Sequence, residues 1–495
     1  MSGFAAARRR DLEIAGIAGI ASSDRERQIE QALDAISHRG QAGKSVRSHS
    51  GATFGEIWPA AQERYTQDVD ASAVALDGEI HNWTELALGA ISPREAIESC
   101  YQTLGPNAVS KLDGPFALAV ADPGGVLLAR DVIGKSPLYW GRSGESLCFA
   151  SEIKGLLSWA DEVREFPPGH YYHPTTGLVK FAEIRKRPAL ELPPEQVESE
   201  LRARLVSSVR KRTLASDVGV WLSGGVDSAA MAALASRQMP TLESFVAGLE
   251  EAPDVEYARA VADFIGSRHH ERVCSLEEMV SALPEVIYHL ESFDALLVRS
   301  SALNFLVGQL ASDYVPAVLS GEGGDELFAG YDYLKELDAA ELADELVDIT
   351  KRLHNTALQR VDRCSAGHGI VARTAFLDRE VVEYALRIPA EMKLPADPDK
   401  AEKWILREAM AGLLPDEVLS RPKAKFWAGS GVGDLLATHA EGMISDSEFT
   451  SERTVSEDLV LNTKEELLYY RIFKEQFGDS VDPGLVGRTK NAPVA

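Results

Sequence analysis

Cysteine is scarce in this chain of 495 residues: Cys100, Cys148, Cys274 and Cys364 stand far apart and never in CxxC spacing. That rules out a disulfide framework and a cysteine-ligated zinc site, and it suits a reducing, cytoplasmic compartment. Basic charge is scarce as well. Lys and Arg number 51 against 76 Asp and Glu, a formal net charge of −25. No basic stripe is at hand to neutralise phosphates, which argues against nucleic acid and against an acidic membrane surface as partners. No apolar run reaches the ~18 residues that a membrane helix needs, and no signal-peptide pattern is present. The 11 histidines, with the adjacent His269 and His270 among them, lack metal-ligand spacing on a helix and read as structural or surface groups. Internal repeats and low-complexity tracts are missing too.

What is present is an ordinary globular balance, 45% hydrophobic and 26% charged, long enough for two or three domains and a large core. From Leu12 to about Tyr172 short strand patterns are punctuated by glycine: IAGIAGI, AVALDGEI, FALAVAD, GVLLARD and LCFASE. They predict a layered α+β domain. A Pro-rich, charged linker follows at 184–196, and then Val197, Leu201, Leu205 and Val209 recur at helical spacing behind a proline. Beyond it strand-like and helix-like segments alternate, with strands at 218–222, 244–249 and 315–319 and helices at 254–265, 276–291 and near 300–312. Alternation of this kind predicts a parallel sheet covered by helices, with any nucleotide at the strands' carboxyl ends. After about residue 332 the chain reads as mostly helical, and the last ~15 residues read as disordered.

The most informative stretch is VGVWLSGGVDS, 218–228. A buried strand runs into Ser223, Gly224 and Gly225, and Asp227 and Ser228 open an Ala-rich helix. Without Cβ atoms the backbone N–H groups can face a phosphate, and the helix dipole adds attraction. The nucleotide loop GxxxxGK[ST] is excluded, because no Lys follows the glycines. Alone, such a turn also suits an ordinary strand–helix connection. A second stretch, VPAVLSGEGGDELFAGY at 315–331, repeats the run from strand into Ser-Gly and brings Glu322, Asp325 and Glu326 beside it.

With both stretches on the page, a family resemblance is specific. SGGVDS resembles the pyrophosphate loop of the ATP pyrophosphatases, and SGEGGDELFAGY resembles the partner segment of asparagine synthetases. HRG (38–40), DGEIHN (77–82), LDGPFALAV (112–120), RDVIGKSPLYW (130–140) and FASEIKGLL (149–157) resemble, in order, the glutaminase domain of class II glutamine amidotransferases. The resemblance implies an Ntn-type αββα domain over 12–185. After it, over 196–480, comes an ATP-pyrophosphatase (adenine nucleotide α-hydrolase-like) parallel-sheet domain with a helical C-terminal part.

The glutaminase chemistry is missing. The family's nucleophile is an N-terminal Cys, and here the matching residue is Ala15, with fourteen residues ahead of it. Alanine has no nucleophilic atom. The family's oxyanion-hole Asn-Gly reads Asp77-Gly78, and a carboxylate there repels the anion to be stabilised. The family's substrate-holding Asp falls near Ser92-Pro93, and its upstream Arg has no clear counterpart in 50–60. The domain is expected not to hydrolyse glutamine.

In the second domain the resemblance implies ATP and Mg2+ as cofactors. Leu222, Ser223, Gly224, Gly225, Asp227, Ser228, Ala247, Ser320, Gly321 and Arg373 would bind ATP or pyrophosphate. Asp227 and Asp325 would hold the metal. Glu322 falls where a Glu deprotonates the attacking ammonia. Lys423 in RPKAKF, or else Lys425, would stabilise transition-state charge, and Arg299 would lie near the carboxylate or pyrophosphate. Three departures stand out: Leu296-Leu297 for a Thr pair, Val371 for Glu and Ala375 for Pro. The two leucines make the acceptor pocket more apolar, so the acid need not be aspartate.

The resulting expectation is an amide synthetase that adenylates a carboxylate and couples it to ammonia or a small amine, without glutaminase activity. Small-molecule acid and amine are its partners, with no nucleic acid and no membrane, and a homodimer stays open. The second reading is intramolecular ring closure, as in β-lactam or carbapenam synthetases, which place Tyr where Glu322 stands, or in lasso-peptide cyclases. The third is a non-catalytic relic.

Overall fold

A computed structural model describes residues 15–58, 72–214, 217–250, 252–395, 401–421, 430, 434–457 and 459–489. Lys423 and Lys425 therefore lie outside the described residues. The chain divides into two compact units, one running to Ile184 and taking in His368–Val371, the other carrying the rest.

The first unit stacks two antiparallel sheets. Its strands are β1 (Gly16–Ile20), β2 (Gly43–His49), β3 (Ala52–Trp58), β4 (Val74–Gly78), β5 (Phe116–Asp122), β6 (Gly125–Arg130), β7 (Tyr139–Ser143), β8 (Ser146–Ala150), β9 (Asp161–Glu165), β10 (His170–His173) and β11 (Gly177–Lys180). One sheet has the order β2-β3-β1-β8-β7-β9, the other β11-β10-β6-β5-β4. Strand β5 shows why the pattern reads as nearly continuous apolar sequence. Ala117, Ala119 and Ala121 face the core between the sheets, beside Ile17, Phe54 and Phe149. Phe116, Leu118 and Val120 face a second core with Ile97 of the helix Pro93–Leu104. Both faces are buried, so period-two alternation carries no polar phase. On the other side, a Cβ on Gly55 would come within 2.5 Å of Ile29 in the helix Glu26–Ala35, so only glycine lets that helix lie on the sheet. The layers run helix, sheet, sheet, helix.

The second unit holds β12 (Val218–Trp221), β13 (Glu243–Gly248), β14 (Arg268–Val273), β15 (Ala317–Ser320) and β16 (Val371–Thr374), in the order β14-β13-β12-β15-β16. Val220 pairs in parallel with Ser244, and Val218 with Ala317. The chain steps outward from β12 through β13 to β14, then returns to the other side of β12 with β15. The order therefore reverses between β12 and β15, and in open parallel sheets that reversal opens a crevice at the carboxyl ends. The Ala-rich helix Val226–Ser236 is buried on nearly every side, which explains its apolar composition. The preceding helix Pro194–Thr213 buries Val197, Leu201, Leu205 and Val209 completely.

Three local expectations need correction. The helix expected near 300 begins at Ala295, because the Asp294 side chain accepts from Leu297 N at 2.9 Å and caps it five residues earlier. Strand β16 lies in a region expected to be mostly helical; the short run after Gly369 completes the sheet beside β15. The C-terminal stretch is held as far as Thr489, whose N–H donates to Asp294 at 2.9 Å, rather than being disordered throughout. The four cysteines are buried and free. Among the described residues no helix is long and apolar enough to cross a membrane.

Candidate active site

The crevice at the β12/β15 reversal is lined by the two glycine loops. Leu222 N–H donates to Phe245 O at 2.8 Å, carrying β12 one residue past its end. Gly224 then turns with φ +69°, and a Cβ there would lie 2.3 Å from Tyr257 Cβ, so both conformation and space require glycine. Ser228, in the first turn of the helix, reaches back. Its Oγ accepts from Ser223 N at 3.1 Å and donates to Gly225 O at 3.1 Å. The loop is thus held in shape by its own hydroxyls, while a Cβ on Gly225 would meet nothing nearer than Ser223 Oγ at 3.5 Å. That open face is the one a phosphate can approach.

The second loop packs directly on the first. A Cβ on Gly321 would lie 2.9 Å from Ser228 N, and one on Gly324 would lie 2.5 Å from Asp227 Cγ. Between the loops sits the ammonium of Lys403, paired with Asp227 Oδ2 and 2.5 Å from Asp325 Oδ1. Its side chain is 1% exposed. Asp227 Oδ1 is buried without a hydrogen-bond partner. Two carboxylates, one from each loop, closing on one cationic centre with a lone pair to spare fit Mg2+, which takes one or two carboxylates and completes its shell with phosphate and water. Asp227 and Asp325 would hold it, and among the described residues no group of three or more such ligands exists.

Glu322, at the turn after Ser320, is ion-paired with Arg360 from the helix Ala357–Ala366. The strongly perturbed carboxyl is its neighbour Glu326. Burial, with the negative Asp325 and Glu322 alongside, pushes Glu326 up to about 7, and the Tyr331 hydroxyl donates to it. Lys403, Arg360 and Tyr331 were not among the residues singled out from sequence, and Glu326 was noted there only as a neighbour of Glu322 and Asp325. Glu326 and Tyr331 lay inside the recognised segment; nothing in the spacing around Lys403 or Arg360 pointed to the crevice.

The remaining candidates are distributed as follows. Ala247 lies on β13, next to the strand that leads into the first loop; just beyond, Leu249 N–H donates to Ser430 O at 2.9 Å. The Arg299 guanidinium is committed to Glu465 (Nε to Oε1 3.0 Å) and to Asp434 at 3.2 Å. Arg373 donates to the Arg212 carbonyl at 2.5 Å. Both arginines are thus engaged by other protein groups. Leu297 is buried and Leu296 half-buried at the start of the helix Ala295–Ser312.

In the first unit Ala15 and Asp77 converge on one arginine. Arg39 donates to the Ala15 carbonyl, binds Glu152 Oε1 at 2.8 Å and lies 3.9 Å from Asp77. Asp77 accepts from Ser151 Oγ at 2.6 Å. Ala15 contributes only a methyl group. Nearby on β3, Glu56 is fully buried between Arg47 (2.8 Å) and Arg94 (2.9 Å). Burial alone would push its carboxyl up, but the two guanidiniums hold it below its ordinary range.

Comparison with known proteins agrees with this division. The family model described as asparagine synthase matches residues 200–348 and 336–482, and a glutamine amidotransferase domain model matches 14–172. A probable glutamine-hydrolysing asparagine synthetase of Schizosaccharomyces pombe is 34% identical, with 89% of each chain covered. The glutamine-hydrolysing asparagine synthetase 1 of Saccharomyces cerevisiae is 33% identical, again over 89% of each chain. Asparagine synthetase 2 of Arabidopsis thaliana, also glutamine-hydrolysing, is 35% identical over 85% of this chain and 78% of its own.

Proposed function

This chain belongs to the asparagine synthetase family, and from that premise we propose that it is an ATP-dependent, AMP-forming carbon–nitrogen ligase that takes ammonia or a small amine directly. The fold class is that of an Ntn-type layered unit followed by an ATP-pyrophosphatase sheet. The observation that carries the ligase reading is the meeting of Asp227 and Asp325, from two loops far apart in sequence, around one cation at the switch point.

The loop Ser223–Ser228 binds the β- and γ-phosphates through backbone N–H groups and the helix N-terminus. Leu222 and Ala247 hold the adenosine by main-chain contacts, and Ser320 and Gly321 approach the α-phosphate. Asp227 and Asp325 would hold Mg2+, which when bound would supply charge neutralisation on the phosphates. The carboxylate oxygen of the acid attacks the α-phosphorus, and the acyl-adenylate forms as the bond to pyrophosphate breaks. The amine then attacks the acyl carbon, Glu322 takes its proton, and AMP departs with the acyl–oxygen electron pair. Lys423, or else Lys425, would stabilise charge in the transition state, the role the resemblance implies. Arg299, held by Glu465, is proposed near the carboxylate or pyrophosphate, and Arg373, which donates to the Arg212 carbonyl, at the ATP or pyrophosphate.

The first unit carries no nucleophile at Ala15 and sets a carboxylate, Asp77, where an oxyanion would form. Its relatives hydrolyse glutamine; this chain is proposed not to. ATP–pyrophosphate exchange tests the reading. Asp325→Ala abolishes acid-stimulated exchange, whereas Glu322→Gln keeps exchange and blocks amide formation. Equal loss of both steps in Glu322→Gln would remove Glu322 as the base, and glutamate release from glutamine would overturn the loss of the glutaminase.

A further inference from the structure

We propose that the second unit carries a binding site for a zwitterionic α-amino acid with a large apolar side chain, in the cavity between the segment 188–192 and the helices Pro194–Thr213 and Arg379–Ala385. The cavity has a volume of about 480 Å³, inside the ~300–1,000 Å³ usual for small-molecule sites. Its walls take no residue from the two glycine loops. The site is therefore distinct from the candidate active site and stands whether or not the ligase reading holds.

The walls are held in place by the protein's own bonds. Leu190 N–H donates to Arg387 O at 2.8 Å, and Arg387 Nε donates to Pro188 O at 3.2 Å. These two bonds fasten the segment to the chain just past the helix Arg379–Ala385, with Leu190 buried. From the helix Pro194–Thr213, the Arg204 guanidinium sits 3.9 Å from the centroid of the buried Tyr384 ring, a cation–π contact. Glu200, one turn before Arg204, accepts from Arg204 Nη1 at 3.1 Å and holds it there. Burial, with the Glu200 carboxylate beside it, pushes the Tyr384 hydroxyl up to about 12, so the ring stays neutral near pH 7.

The charges decide what fits. Two guanidiniums and two carboxylates line the cavity, and Arg204 and Glu200 neutralise each other. Among the described residues Arg387 has a backbone carbonyl as its partner and no carboxylate, and Glu191 has no cation. One cation and one anion are thus left on a shared cavity. The Nη groups of Arg387 match a carboxylate, and Glu191 matches an ammonium. A ligand with both charges satisfies both. A polyphosphate meets two carboxylates and is repelled, and a purely apolar molecule strips water from two charges and gives nothing back. Ala189, Leu190 and Leu192 supply the apolar surface on which a side chain packs. An amino acid as small as alanine would leave most of that volume to water.

The test titrates the full chain with phenylalanine in a calorimeter. Three further probes are N-acetylphenylalanine, which lacks the ammonium, phenylalaninamide, which lacks the carboxylate, and alanine. Phenylalanine should bind with a Kd below about 10 mM. Each charge-deleted analogue should bind about 10–100-fold more weakly, and alanine about 10-fold more weakly. Arg387→Gln and Glu191→Gln should each weaken phenylalanine by about 10–100-fold, and Arg387→Lys should recover part of the loss. Melting temperature and pyrophosphate exchange should stay at wild-type values in all three variants, which separates a lost site from a misfolded one. A Kd above about 10 mM, analogues or alanine as tight as phenylalanine, or binding undiminished in both Gln variants would overturn the site. Absence of pyrophosphate exchange in the wild type would overturn the ligase reading alone.

Discussion

Replacing Lys403 by Met removes an ammonium while keeping most of the apolar stem that packs around it. Lys403 is 1% exposed, and Asp227 and Asp325 are 15% and 19% exposed in their side chains, so the small values typical of surface pairs do not apply. Removing one member of a buried ion pair leaves the other charge uncompensated and costs about 3–5 kcal/mol. Here two carboxylates on touching loops would be left facing each other. In a unit of this size 1 kcal/mol moves the unfolding midpoint by about 2 °C, so the fall should be roughly 6–10 °C. Calorimetry of the full chain in chelator reads it, with the first unit's transition as an internal control. Combining Lys403→Met with Asp325→Asn should cost less than the two single changes together, by about 1–3 kcal/mol. Mg2+ at about 100 times its dissociation constant should restore close to 2.7 kcal/mol to the single variant. A midpoint within about 1 °C of wild type, or strictly additive losses in the double variant, would refute the placement of the ammonium between the carboxylates.

Other consequences are as direct. Glu326 is held up to about 7 against an ordinary value of 4.5, so between those pH values the folded state keeps a proton that the unfolded state has lost. Stability from this group is therefore full below pH 4.5 and falls as pH rises to about 7, by up to roughly 3 kcal/mol; urea titrations at pH 5 and 8 should show Glu326→Gln losing less than wild type across that range. Gly324→Ala should push Asp227 aside and cut pyrophosphate exchange by about 100-fold with little change in melting temperature, and an unaltered rate would mean the loops do not touch. Ala15→Cys alone should not produce glutamate from glutamine, because Asp77 still stands at the position proposed for the oxyanion and residues precede the new thiol; measurable glutaminase activity in that variant would contradict this proposal.

Much of the strand and helix content was legible because local composition and tertiary burial agree. Strand β12, its Gly-Gly turn and the Ala-rich helix after it are each what their own residues favour. Helix boundaries were less legible: the start at Ala295 depends on one side chain, Asp294, that also holds Thr489 from the far end of the chain. Strand β16 is as short as β12 but reads VART, with no apolar run like the VGVW of β12 to mark it. Lys403 is the instructive case. It sits in AEKWILRE, a stretch whose spacing describes a modest helix and whose charge reads as solvated surface. It becomes the cation between two loops only because the helix Trp404–Ala409 starts there, with Lys403 turned to φ +60°. Periodicity records which face of an element is buried, not which distant loop meets its first residue.

On the proposed loss of the glutaminase, the first unit offers a reason why a fold can outlast a chemistry. Its layers are fixed by positions with no catalytic content: Gly19, where a Cβ would lie 2.4 Å from Phe149, and Gly55 beneath the helix Glu26–Ala35. Changing those would force the layers apart, at the cost usual for overpacked cores, about 1–3 kcal/mol or more. Ala15 and Asp77 carry no such constraint. Ala15 is buried comfortably as a methyl group, and the Asp77 carboxylate has a hydroxyl donor in Ser151 and a guanidinium within reach. Glu152 is paired with Arg39 and Lys154, and Glu56 with Arg47 and Arg94, all within the unit. With Ala15 buried as a methyl group and Asp77 accepting from Ser151, folding exerts no pressure at these two positions to restore the nucleophile. The same reasoning predicts the opposite for the second unit, where removing one cation leaves two acids face to face.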